Sequence, residues 1–285
     1  MATKRVKEGD KTAKQPTSGK RGPTATRAPA KHRTPGKRGR LPKLARADRL
    51  PLKYLHEYAR AGQPLPAPSY PIDVTSGITD WGMLGNGPDP TCTHDPNGVG
   101  DCTFAGRQHN RMAKAARAQE TETWETSNQL VAEYLKYDHG VDQGANIATL
   151  LLAWYRAGKI LAFAPVDQTD PAAVDAAMAA FTGTYCGVNL TDDADQLFGN
   201  GQPWTLANGE KPDPNDGHCI VKVGADGKST DTWVTWGASQ ESTTDWTAAC
   251  LDEAWVIITE EDTNTQLIDL AALRADIDAL SGTGG

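Results

Sequence analysis

A chain of 285 residues with 38% hydrophobic and 23% charged side chains can bury one large core or two small ones, as globular proteins do. Its net charge of −7 hides an asymmetry: residues 1–50 hold 16 Lys/Arg and 3 Asp/Glu, a net of +13, which leaves −20 on the rest. The longest apolar run, Ile147–Tyr155, falls far short of the roughly 20 residues a bilayer requires, and no apolar stretch follows the basic N-terminus, so neither a membrane span nor a secretory signal is expected.

In chain order, Met1 to about Arg49 consists largely of Lys, Arg, Pro, Thr, Gly and Ala. Such a stretch cannot bury enough apolar surface to offset the entropy of ordering, so residues 1–49 read as a disordered basic arm. Pro64, Pro66, Pro68 and Pro71 mark 50–71 as a stiffer linker. The folded domain is expected over 72–262, opening with an irregular Gly, Pro, Asn and Asp-rich loop at 77–101. Helices are predicted from Cys102 to about Gln119 with Asp101 as N-cap, over about Ala145–Ala157, and over about Pro171–Phe181 with proline in the first turn. Strands follow at Gly183–Leu190, His218–Val223, Thr232–Trp236 and Ala254–Thr259, where β-branched and aromatic residues concentrate between turn signals. Helices first and strands second predict an α+β fold whose halves meet at a cleft. Within 263–285, Leu267, Leu270, Leu273, Ile277 and Leu280 form a helical stripe before a Gly-rich tail; it reads as a docked helix, or alternatively as a partner-binding one.

The sharpest chemical feature is Gly100-Asp101-Cys102 at a helix start. Cysteine attacks as a thiolate, a helix N-terminus lowers its pKa, and the free N–H groups there can hold an oxyanion. His218, in Asp216-Gly217-His218-Cys219 at the entry to a strand, is the candidate base. The five cysteines (Cys92, Cys102, Cys186, Cys219, Cys250) are odd in number and scattered, which favours reduced thiols in a cytoplasmic setting. Cys186, Cys219 and Cys250 read as small core residues, and a lone Cys or His would read the same way without its partner. Cys92, His94, Cys102 and His109 match no familiar zinc spacing, so no metal and no cofactor is expected.

The order of Cys at a helix start, Gly217-His218 before a strand and Thr235-Trp236-Gly237 at a hairpin resembles the papain-like cysteine peptidases. With Leu84-Gly85-Asn86 and Gly100-Asp101-Cys102, it is similar to uncharacterised papain-like proteins of bacteria and their phages, over about Ile72 to Thr259. The resemblance implies a papain-like fold, a helical half packed on an antiparallel sheet or half-barrel, and a thiol hydrolase acting on peptides or proteins through Cys102 and His218. It also implies a Trp236 that shields the histidine. The family's histidine-orienting Asn falls at Val234, which leaves Asp216, Asp231 or Gln240 as substitutes. The family's oxyanion Gln has no counterpart just before Cys102; Asn86 and Asn97 are the candidates, with 87–99 appearing as an insertion. A catalytically inactive domain serving as a structural or binding component, for example of a phage particle, is the alternative that Val234 supports. The arm's charge, without aromatic stacking groups, suits sequence-independent nucleic-acid contact, with an acidic protein partner or virion packaging next. The chain is accordingly expected in the cytoplasm, or on a virion if phage-encoded, and not at a membrane.

Overall fold

The computed structural model describes residues 33–45, 50–60, 64–120, 123–207, 209–262 and 264–281; most of the basic arm, residues 1–32, lies outside them. The three predicted helices form where their signals stand. Helix α1 (Cys102–Ala118) is Ala-rich and ends at Gln119 in the left-handed region (φ 58°). Asp101 holds the N-cap position without capping through its side chain; its carbonyl instead accepts from Phe104 and Ala105 N–H. Helix α2 (Ser127–Tyr137) is an addition to the prediction. Its signal is a capping box, in which Thr126 Oγ1 accepts from Gln129 N–H while the Gln129 side chain accepts from Thr126 N–H. Asn146 caps α3 (Ile147–Arg156), and Asp170 caps α4 (Pro171–Phe181), whose Pro171 occupies the first turn.

The strands are β1 (Ile72–Asp73), β2 (Ala162–Val166), β3 (Thr184–Asn189), β4 (Gly217–Ala225), β5 (Thr230–Thr235), β6 (Ala238–Thr243) and β7 (Leu251–Ile258). They form one antiparallel sheet in the order β2-β7-β3-β4-β5-β6, with β1 pairing the far end of β4. Short helices α5 (Ala194–Gly199) and α6 (Thr244–Cys250) bridge strands, and α7 (Leu270–Ser281) closes the chain. The β5–β6 hairpin turns on Trp236 and Gly237 with φ of 44° and 73°, the two positive values that a tight two-residue hairpin needs.

Helix α1 lies on β3 and β4 because residue 106 is glycine. A Cβ there would stand 3.0 Å from the Tyr185 ring and 3.3 Å from Cys219 Sγ. The Tyr185 hydroxyl also donates to Thr103 carbonyl oxygen at 2.7 Å, which pins the first turn of α1 to the sheet. The helix that starts with Cys102 is thereby fixed against the strand that carries His218.

Two boundaries differ from the sequence expectation. The folded body begins before Ile72: Leu55 and Tyr58 are buried, and Tyr58 exchanges bonds with Asp269 N–H and the Asp276 carboxylate. Residues 50–60 therefore pack with α7 instead of linking, because two apolar residues one helical turn apart find the face that Ile268, Leu273 and Ile277 bury. The C-terminal stripe is docked. The second difference lies in the arm, whose residues 33–45 lie along the sheet and α1 with Arg40 buried. Among the described residues no helix is long and apolar enough to cross a membrane.

Candidate active site

Cys102 is the first residue of α1 and is only 1% exposed. Backbone hydrogen bonding from Cys219, the residue after His218, and from Gly39 draws its pKa down. Burial nevertheless pushes its thiol up to about 12, overriding those two donors and the Arg40 charge. The depression expected from a helix N-terminus is outweighed by desolvation.

His218 is equally buried, and its Nε2 is hydrogen-bonded to Thr235 Oγ1 at 2.8 Å. Trp236 stacks on the imidazole with ring centroids 4.7 Å apart and planes at 28°. Nδ1 is buried with no hydrogen-bond partner among the described residues. Burial, then the charges of Arg38, Arg40 and His109, hold the ring well below its ordinary pKa, so the imidazole is neutral here.

Asn86 is buried beside the helix start. Its Nδ2 donates to Val99 carbonyl oxygen at 3.3 Å and to Lys37 carbonyl oxygen at 2.9 Å. The inserted 87–99 loop does not separate Asn86 from Cys102, because it closes on itself: Val99 N–H donates to Gly85 carbonyl oxygen, and Gly87 and Gly98 meet back to back. Asp101 is fully enclosed next to Gly85, and burial holds its carboxyl well above the usual range.

The cleft between α1 and the sheet is occupied by the chain's own residues 36–41. Lys37 N–H donates to Asn86 carbonyl oxygen at 2.7 Å, and Leu41 N–H donates to Ala145 carbonyl oxygen at 3.0 Å. Ala145 N–H donates to Gly39 carbonyl oxygen at 2.7 Å. Glycines let the strand lie close. A Cβ on Gly36 would stand 2.5 Å from the Trp236 ring, and one on Gly39 would overlap the Gly100 carbonyl. Arg38 pairs with Asp195 and Asp216 at 2.7 and 2.6 Å, and its guanidinium also lies over the Trp236 ring.

Of the residues singled out from sequence, Cys102, His218, Asn86 and Trp236 surround this cleft. Asn97 does not: it is exposed, its N–H held by Asp95 in a surface turn. Asp216 faces Arg38; Asp231 pairs with Lys222 at 2.8 Å, and Gln240 donates to Gln202 carbonyl oxygen. None of the three is the partner of His218. Val234 is buried opposite Val221, and the next residue, Thr235, supplies the hydrogen bond instead. Sequence reading missed Thr235 because it fixed on the position of the family's Asn; a polar residue next to the hairpin turn was the available signal.

No family model matches the sequence, and no curated protein does. Among solved structures, the chain is similar to xylellain, a cysteine protease from Xylella fastidiosa, at 14% identity and a TM-score of 0.54, over 81% of this chain and 98% of that one. The likeness is one of fold. This chain has a papain-like α+β fold, a helical half packed on an antiparallel sheet.

Proposed function

We propose that this protein is a cysteine-dependent peptidase or amidase in which Cys102 is the nucleophile and His218 the base. The observation that carries the reading is the extended peptide lying across Cys102, with a carbonyl oxygen on Asn86 Nδ2 and its backbone bridged to Ala145. A groove that binds main chain through main chain accepts peptides, and its reactive atom is a thiol beside an imidazole-bearing strand. His218 takes the thiol proton through Nδ1, and the sulfur attacks the carbonyl carbon. Asn86 Nδ2 and the first N–H groups of α1 hold the oxyanion. Collapse breaks the C–N bond, the imidazolium returns its proton to the leaving amine, and water then hydrolyses the thioester. Thr235 orients the ring from Nε2, so Val234 is no ground for inactivity.

The described state is covered. Burial pushes the Cys102 thiol up to about 12 and keeps the His218 imidazole neutral, so the thiol reacts only slowly until the segment leaves. Full-length protein and its Arg40→Ala variant are to be alkylated with iodoacetamide at pH 6 and mapped by mass spectrometry. The variant is expected to label at Cys102 well ahead of Cys186 and Cys250. Labelling of Cys102 no faster than those two, with no peptide hydrolysis, would defeat the reading.

A further inference from the structure

One side chain of the cleft segment reaches deeper than the rest. The Arg40 side chain is completely enclosed. Nη1 donates to Asp252 Oδ2 at 2.9 Å and to Glu253 Oε1 at 3.1 Å; Nη2 donates to Val188 carbonyl oxygen at 3.2 Å and to Asn189 Oδ1. Four acceptors around two nitrogens match the flat guanidinium fork, which a lysine ammonium meets only as a point charge.

Two glycines make the room. A Cβ on Gly187 would stand 2.8 Å from Arg40 Cδ and 2.8 Å from Glu253 Cγ; one on Gly217 would stand 2.5 Å from Arg40 carbonyl oxygen and 3.3 Å from Nε. Neither glycine has a positive φ, so space and not backbone conformation asks for them. The pocket also sits at the reactive centre. Gly217 precedes His218, and Gly187 pairs in register with Cys219, the residue after it.

The segment's backbone bonds to Ala145 and Asn86 are ones any peptide can make, so the Arg40 side chain is its sequence-specific part. When the segment leaves, Asp252 and Glu253 lose their guanidinium, and burial already holds Glu253 above the usual carboxylate range with that charge present. Two half-buried to buried carboxylates in a slot shaped for a long stem take a cation back far more readily than an apolar side chain. We propose that this pocket is a specificity subsite for an arginine side chain of the substrate, filled in the described state by the chain's own Arg40. The proposal rests on the peptidase reading of Cys102 for its meaning but not for its test.

Full-length Arg40→Ala is titrated calorimetrically with N-acetyl-arginine methylamide and with its citrulline, lysine and leucine counterparts. The arginine probe is expected to bind at least ~10-fold tighter than citrulline, which has the same shape without the charge, as a site built for a polar group rejects its incomplete analogue. Wild type, with its pocket filled, should bind it more weakly, and adding Glu253→Gln should abolish the preference. Equal binding of arginine and citrulline, or no loss with Glu253→Gln, overturns the proposal. Calorimetry reads binding without chemistry, so selective binding by a protein whose Cys102 proves inert would sink the peptidase reading and leave the pocket standing. Should Arg40→Ala not fold, wild type decides. Peptidyl electrophiles differing only in Arg, citrulline or Leu at each of the two positions before the reactive group should label Cys102 fastest with Arg at one position. The absence of any such ordering overturns the pocket.

Discussion

A hydroxyl holds the His218 ring, and it does so in a buried place where the bond cannot be replaced by water. Leaving a buried donor unsatisfied costs ~1–3 kcal/mol, roughly five- to 160-fold in rate if the ring then loses its alignment. Thr235→Val, equal in shape, is therefore expected to lower kcat by up to that factor with KM little changed, and to lower the unfolding midpoint by the same lost bond. Thr235→Ser should restore most of it. A fall in KM-driven binding alone, or full activity in the valine variant, would show that the hydroxyl does not orient the base. The thiol allows a second measurement at this scale. Because its pKa in the covered chain is about 12, the thiolate fraction rises about tenfold per pH unit across the working range. Alkylation of wild-type Cys102 should climb in that way from pH 7 to 10 without a plateau. Displacing the segment removes desolvation, the first cause of the shift, so in Arg40→Ala the curve should move to lower pH. A plateau near neutrality in wild type would mean that the cleft is already open.

At the scale of elements, the position of Cys102 depends on how closely α1 approaches the sheet. Gly106 is helical, and alanine there would raise helix propensity by ~1 kcal/mol. Its Cβ, however, would stand 3.0 Å from a Tyr185 ring whose hydroxyl is tied to Thr103 and whose neighbours are fully buried. Neither side can give, so packing outweighs propensity and Gly106→Ala is expected to destabilise by ~1–3 kcal/mol. It should also slow Cys102 labelling in the Arg40→Ala background; chemical denaturation and labelling rates check the two halves. A stabilised Gly106→Ala would show that the approach is looser than these distances. Much of this framework was legible in the sequence, because α1, α4 and the central strands carry caps, Pro171 and β-branched runs, all of which are local signals. Strand β6 (ASQEST) was not, since its polar outward residues give no apolar alternation. Thr235 and the Arg40 pocket were not legible either. Both depend on which residues a hairpin turn and three adjacent strands bring together, and periodicity along one segment contains no such information.

At the scale of the molecule, the basic N-terminal region divides into two parts with different fates. Residues 33–45 lie on the folded body, 36–41 of them in the cleft, where Arg38 and Arg40 are paired with Asp195, Asp216, Asp252 and Glu253 and so are not available to a polyanion. The stiffness read for 50–71 does not keep them off the body, since the body they lie on starts at residue 50 and closes around Tyr58. Residues 1–32 keep nine Lys/Arg against two Asp/Glu, a net of +7, which leaves −14 on 33–285. We propose that these first residues make the sequence-independent nucleic-acid contact. Each phosphate neutralised releases counterions, so log affinity should fall linearly with log salt, by ~0.7 to 0.9 per contact, while the acidic body weakens binding most at low salt, where its repulsion of the same polyanion is least screened. Full-length protein and a chain beginning at Arg33 are to be compared for binding to single-stranded and duplex DNA of random sequence at several salt concentrations. The full chain should bind with a slope corresponding to several contacts and with no preference among sequences. The shorter chain should not bind at any of them, because Arg38 and Arg40 are held by carboxylates and its net charge is −14. Equal binding by both chains, or affinity indifferent to salt, would move the nucleic-acid contact off residues 1–32 and leave their charge without that role.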